Sequence, residues 1–167
     1  MKLYVFLIGL CFIQISLFAQ RGNEQRYDSK MDIALMIEDK DPHNLFVGCK
    51  EGECDLFWND QLLMTAHSFN AAVDFLIPIK SEDYPNLFLI PIYQGDGCPS
   101  QYKILQIVDK KTHWLTDTFG NCNEPTFTIK KKLMTFQFEG LNEADLPTRR
   151  KSTYTYHLKK GELLEVK

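Results

Sequence analysis

The stretch FLIPIKSEDYPNLFLIPI, residues 75–92, contains the pentapeptide FLIPI twice, at 75–79 and at 88–92. The segment between the copies, KSEDYPNL, is polar and carries a Tyr-Pro-Asn turn signal. Two apolar arms around such a loop predict an antiparallel hairpin. In the register that superposes the copies, Phe75 faces Ile92, Ile77 faces Ile90 and Ile79 faces Phe88, while Leu76 meets Pro91 and Pro78 meets Leu89. Proline has no N–H to give to a ladder. In this register both prolines fall in the same alternate class of cross-strand pairs, so neither need break a bond inside the hairpin. Each still withholds a donor from its outer neighbour, which predicts a bulge or an open edge there. Both arms are apolar on both faces, so the hairpin is expected to be covered on both sides. The likeness of the copies ends with the pentapeptide (DYPN against DGCPS), which makes them arms of one element and not units of a repeat.

Working outward, the chain is a succession of short apolar or alternating runs set off by turn signals. MDIALMI (31–37) alternates through Met31, Ile33, Leu35 and Ile37, and DKDPHN (39–44) is a turn cluster. LFVG (45–48) leads into the loop around Cys49 and Cys54, and Asn59-Asp60 is a hairpin turn between CDLFW (54–58) and QLLMTAHSF (61–69). On the C-terminal side, SQYKILQIVD (100–109), HWLTDTF (113–119), TFTIK (126–130), LMTFQFE (133–139), TYTYHL (153–158) and ELLEV (162–166) complete the set. Phe127, Ile129, Met134, Phe136 and Phe138 are expected to face a core, with Thr128, Thr135 and Gln137 outward. About ten short antiparallel strands at this spacing, paired as hairpins, predict an all-β sandwich, barrel or propeller-like meander. The competing local reading is a helix over 61–73, rich in Leu, Met and Ala.

Residues 1–19, MKLYVFLIGLCFIQISLFA, have one basic residue, an uncharged apolar run and a small residue, Ala19, before a polar segment. That is the pattern of a cleaved secretory signal. Cys11 follows Leu10, not the small residue that precedes a lipid-modified cysteine, and leaves with the signal. Residues 20–30 are then a flexible lead-in and 31–167 a single all-β domain. A mature chain of 148 residues (20–167) can bury about 68–70% of its extended surface without help from a metal. It holds no second long apolar segment, so no membrane span is expected in it, and the protein is expected to be periplasmic or extracellular.

Four cysteines then remain, and an even number in an exported chain predicts disulfides, with three possible connectivities. Cys49–Cys54 and Cys98–Cys122 are favoured, each pair nearest in sequence and set among turn residues. The chain-entropy model gives about 2 kcal/mol for the short loop and about 3.5 kcal/mol for the long one. A four-cysteine zinc site competes poorly, because C-x23-C lacks the short knuckle of structural zinc sites.

Residues 20–97 carry 6 Lys/Arg against 14 Asp/Glu, and residues 98–167 carry 12 against 8. The resulting −8 and +4 sum to −4, which argues against nucleic-acid binding, where phosphates call for a net positive face. Asp39, Asp41 and His43 alternate as calcium ligands do, but proline interrupts them and no glycine makes the sharp turn, so a solvated turn is expected. The four histidines, His43, His67, His113 and His157, show no metal-binding spacing, and no nucleophile, phosphate-loop or dinucleotide motif is present. No metal, cofactor or catalytic residue is therefore assigned. A serine or carboxylate site assembled in space would leave no trace in one sequence. Lys130, Lys131 and Lys132 are expected to keep a hairpin tip soluble. Arg149, Arg150 and Lys151, in the long loop 140–151, form the candidate binding loop.

GDGCPSQY (95–102) and FGNC (119–122), followed by the hairpin through 140, carry a G-x-x-C-P-x-x-Y … F-G-x-C pattern. It resembles uncharacterised exported, β-rich bacterial proteins of Bacteroidota type, to whose signal junctions the LFAQ sequence is also similar. The resemblance spans roughly 95–140 and implies structural roles for Cys98, Pro99, Tyr102, Phe119, Gly120 and Cys122. It brings no activity with it. The expectation is a disulfide-braced, non-enzymatic binding module of the bacterial envelope, engaging an envelope or extracellular protein as a recognition or inhibitor/immunity-type partner. The alternatives are a small periplasmic hydrolase with a spatially assembled site and a self-associating envelope structural protein. Oligomeric state stays open.

Overall fold

The computed structural model describes residues 27–35, 44–67, 75–92, 101–140 and 150–166. Twelve strands run through them: β1 (Ser29–Ile33), β2 (Leu45–Lys50), β3 (Glu53–Trp58), β4 (Gln61–His67), β5 (Ile77–Pro78), β6 (Leu87–Ile92), β7 (Gln101–Ile107), β8 (His113–Leu115), β9 (Thr126–Lys130), β10 (Leu133–Phe138), β11 (Ser152–His157) and β12 (Glu162–Val166). They form three antiparallel four-stranded sheets, each a meander of consecutive strands: β1-β2-β3-β4, β5-β6-β7-β8 and β12-β11-β10-β9. Tight turns set the hairpins. Glu51-Gly52 and Asn59-Asp60 take positive φ at both positions, the backbone twist that two-residue hairpin loops need. Residues 61–67 are a strand, not the first turns of a helix, because Met64 and Ala66 pack on the same core as their partners Leu56 and Cys54.

The second sheet lies between the other two, and period-2 alternation along β6 shows why. Phe88 and Ile90 enter one core with Leu45, Val47, Leu56 and Trp58 of the first sheet. Leu87 and Leu89 enter a second core with Met134, Phe136, Phe138 and Tyr156 of the third. β7 divides in the same way, Leu105 and Ile107 against Tyr102 and Ile104. Four consecutive apolar residues are thus what a strand covered on both faces requires. The third sheet alternates as expected, with Met134, Phe136 and Phe138 inside and Thr128 and Gln137 exposed. Phe127, near the edge, is only half covered.

The FLIPI hairpin forms, but one residue out of the expected register. Ile77 pairs with Leu89 and Pro78 with Phe88, and Ile79 N–H donates to the Leu87 carbonyl at 2.8 Å. A slip of one residue exchanges faces. Here it sends Ile79 into the second core with Leu87 and Leu89. It also explains why β5 has two residues. Antiparallel alternation turns the backbone groups of residues 87, 89 and 91 toward β5 and those of 88, 90 and 92 toward β7. Pro91 therefore meets the β5 side with no N–H to give, and ladder pairing has already ended at Ile77. Pro78, opposite Phe88, turns its nitrogen to the open edge of the sheet.

Cys49 and Cys54 face each other across β2 and β3 and are bonded, with Cα atoms 4.0 Å apart. Cys122 is also disulfide-bonded. Cys98, its expected partner, lies outside the described residues.

Candidate functional site

Loops and turns from the second and third sheets meet at one end of the stack and enclose a half-open cleft of about 360 Å³. The loop before β6 contributes Asp83, Tyr84 and Asn86; the end of β7 contributes Gln106. Trp114 of β8 and Lys159 of the β11–β12 turn complete the wall. Gln106 is its fixed point. The residue is buried, its Oε1 accepts from Tyr156 Oη at 3.0 Å, and its Nε2 donates to the Leu158 carbonyl at 3.0 Å. One amide thus ties the second sheet to the third across fifty residues of sequence. Burial raises the Tyr156 hydroxyl pKa far above its ordinary value, so the donor stays protonated throughout the physiological range.

The walls are fixed by local geometry. Asn86 is buried, and its carbonyl accepts from Ile107 N–H at 3.0 Å. Trp114 packs directly on Gly161, which has φ +70°, and a Cβ there would overlap the indole. A glycine at that turn thus supplies the positive φ and lets the indole approach the backbone closely. Lys160 and Gly161 N–H both donate to the His157 carbonyl at 2.9 Å, and Lys159 N–H donates to His157 Nδ1 at 3.2 Å. The adjacent β7–β8 turn is closed by Asp109, whose carboxylate accepts from Lys111 and Thr112 N–H at 2.8 and 2.9 Å. Those bonds, the one to Lys111 foremost, hold its carboxyl below the usual range.

A second feature lies in the first core. The Trp58 indole N–H is buried without a hydrogen-bond partner among the described residues. His113 meets that indole edge-on, with ring centroids 5.0 Å apart. Burial lowers the His113 pKa below its ordinary 6.5.

The residues singled out by sequence do not converge on the cleft. Lys151 pairs with Glu139 at 3.1 Å with both ends exposed, and the Arg150 carbonyl accepts from the buried Asn121 amide at 2.8 Å. Arg149 lies outside the described residues, as do Asp39, Asp41 and His43. Lys131 and Lys132 form the β9–β10 turn, the hairpin tip expected of them. His113, on β8 of the second sheet, meets Trp58, and His157 is on β11 of the third. Among the described residues no three His, Cys, Asp or Glu side chains lie together as metal ligands would. Tyr102 and Phe119 exchange two backbone hydrogen bonds, of 3.0 and 2.9 Å. The Phe119 ring packs edge-on against Phe136, Phe138 and Tyr154. Gly120 follows at φ +89° with Phe138 against it, so no side chain fits there. Sequence reading missed the cleft because its parts lie at 83–86, 106–108, 114 and 158–159. The one local signal was a glutamine amid the apolar residues of ILQIV.

Comparison with family models, with curated proteins and with solved structures finds no match to this chain.

Proposed function

We propose that the protein is an exported, non-enzymatic binding module of the bacterial envelope, and that it takes its target at the turn end of the sheet stack. The observation that carries this reading is the cleft itself. It is borne by loops on a scaffold cored on both sides, and its central amide is immobilised by Tyr156 and Leu158. Recognition is favoured when polar groups are pre-positioned in this way, because less order must be imposed on binding. Export is supported by the signal-like residues 1–19 and by the Cys49–Cys54 disulfide, which persists in oxidising compartments. Among the described residues no helix is long and apolar enough to cross a membrane. The target is an envelope or extracellular component presented to that end of the stack.

The test is capture from envelope extract with non-reduced protein 20–167 as bait, and the Trp114→Ala variant beside it. Specific capture that the variant loses is the expected result. If folded bait captures nothing, or if the variant captures as well as the parent, the reading falls.

A further inference from the structure

We propose that the cleft binds the pyranose ring of a saccharide; this rests on the binding-module reading and names the ligand chemistry of that same site. A sugar ring combines two surfaces that seldom occur together: an apolar face of axial C–H groups and a rim of hydroxyls in fixed directions. The cleft offers the complement of both. Trp114 and Tyr84 supply aromatic rings to the lining, one packed on Gly161 and the other on the second core. Such rings combine a large apolar area with few rotors, so little freedom is lost on binding. Around them stand a carboxylate (Asp83), an ammonium (Lys159) and two primary amides (Asn86 and Gln106).

These groups divide the work of recognising hydroxyls. A carboxylate only accepts, an ammonium only donates, and an amide does both. The Gln106 bonds to Tyr156 and Leu158 use one amide proton and one lone pair. The amide inventory therefore retains one of each, in a direction the two bonds fix. One acid and one base at the rim leave the cleft near neutrality, which disfavours a phosphate or polycarboxylate. The charged groups of Asp83 and Lys159 in the lining disfavour a fatty chain, whose burial would strip both of water. A volume of about 360 Å³ is at the small end of the range for ligand sites, which starts near 300 Å³. It suits one ring or two, with the half-open mouth admitting the rest of a chain.

Two sources would present this ring, an envelope polysaccharide and the glycan of a glycoprotein. The experiment has two arms. In the first, oligosaccharides of glucose and of N-acetylglucosamine, two to four units long, are titrated into the full exported protein while tryptophan emission is followed. The chain has two tryptophans, and Trp58 is buried in the other core, so the change reports on Trp114. A saturable shift is expected, with dissociation constants of order 0.1–1 mM, as for weak single-site binding. Asp83→Ala, in an exposed loop, should weaken binding about tenfold, and Trp114→Ala should abolish it when followed by calorimetry. If Trp114→Ala fails to fold, the Asp83→Ala result decides. No saturation by either series up to about 10 mM, or unchanged affinity in Asp83→Ala, overturns the proposal.

In the second arm, envelope extract is treated with periodate or with protease before capture. Loss with periodate alone identifies a polysaccharide, and loss with either treatment identifies a glycoprotein sugar. Capture that survives both periodate and digestion by an N-acetylglucosaminidase, but not protease, overturns the saccharide while leaving the binding module standing. Capture absent from untreated extract overturns the binding module.

Discussion

Gln106 is a buried polar residue between Leu105 and Ile107 of β7, and its burial is tolerable only because Tyr156 and Leu158 meet its amide. Removing one partner leaves the other with its full desolvation cost. Tyr156→Phe should therefore lower unfolding stability by about 1–3 kcal/mol. For a domain of this size that is a fall in Tm of roughly 3 °C per kcal/mol. Thermal unfolding followed by circular dichroism checks it; an unchanged Tm would mean that the bond contributes nothing. His113 gives a pH dependence of definite sign. Burial disfavours its cationic form, so its folded pKa lies below 6.5 while the unfolded chain keeps the ordinary value. Between those two pKa values the unfolded state binds more protons. Stability is thus complete above the unfolded pKa and declines as pH falls from about 6.5 toward the folded pKa. His113→Phe should flatten that part of the stability–pH curve, and NMR titration of the wild-type imidazole should show a midpoint below 6.5. A midpoint at or above 6.5 would contradict the burial argument.

At the scale of elements, the Cys49–Cys54 disulfide joins residues that the hairpin already holds opposite each other. The turn Glu51-Gly52 and the β2–β3 ladder set the register whether or not the sulfurs are joined. A bond that closes so short a loop removes little freedom from the unfolded chain, about 2 kcal/mol by the chain-entropy model. Cys49→Ser/Cys54→Ser should thus fold to the same structure with a Tm lower by several degrees. Loss of the far-ultraviolet β signal at 25 °C would show instead that the hairpin depends on the bond. The same hairpins show what was legible in the sequence. Alternation in MTFQF, the Asn59-Asp60 turn and the paired FLIPI arms each fix an element by local chemistry, and all three form. The register of the FLIPI pair was not legible, because symmetry of the two copies favoured superposition. Two things prevail over that symmetry: Pro91 has no donor toward β5, and Ile79 is taken by the second core. The second is not visible until a third sheet exists to accept Ile79. The cleft was hidden for the same reason, since Gln106 meets Tyr156 and Leu158 only after the third sheet has docked.

Across the whole molecule, the middle sheet determines how stability is shared. Phe88 and Ile90 belong to one core and Leu87 and Leu89 to the other, on a single strand. Neither core can be lost without uncovering a face of β6 and β7, the strands that carry the other. Two stacked layers with separate supports would unfold separately; layers with a common sheet should unfold together. Calorimetry is therefore expected to give one transition with equal calorimetric and van't Hoff enthalpies. The sharper test uses one large-to-small change in each core. Leu56→Ala, fully buried in the first, should cost about 2–5 kcal/mol, and Phe136→Ala, fully buried in the second, about 3–5 kcal/mol. In a shared unit each change moves the whole transition. In a Trp114→Phe background, where Trp58 of the first core is the remaining tryptophan, its emission should then change at the lowered temperature in Phe136→Ala, although that substitution lies in the other core. If Trp58 keeps its wild-type midpoint while far-ultraviolet circular dichroism of the variant shows an earlier step, the third sheet is an independent unit. The cleft would then open before the first core melts, and its ligand would stabilise the early step alone. With a shared unit, ligand bound in the cleft should raise the Trp58 midpoint as well, by the mass-action term that any native-state ligand adds. Conformational coupling between the turn end and the first sheet would follow from nothing more than the two faces of β6.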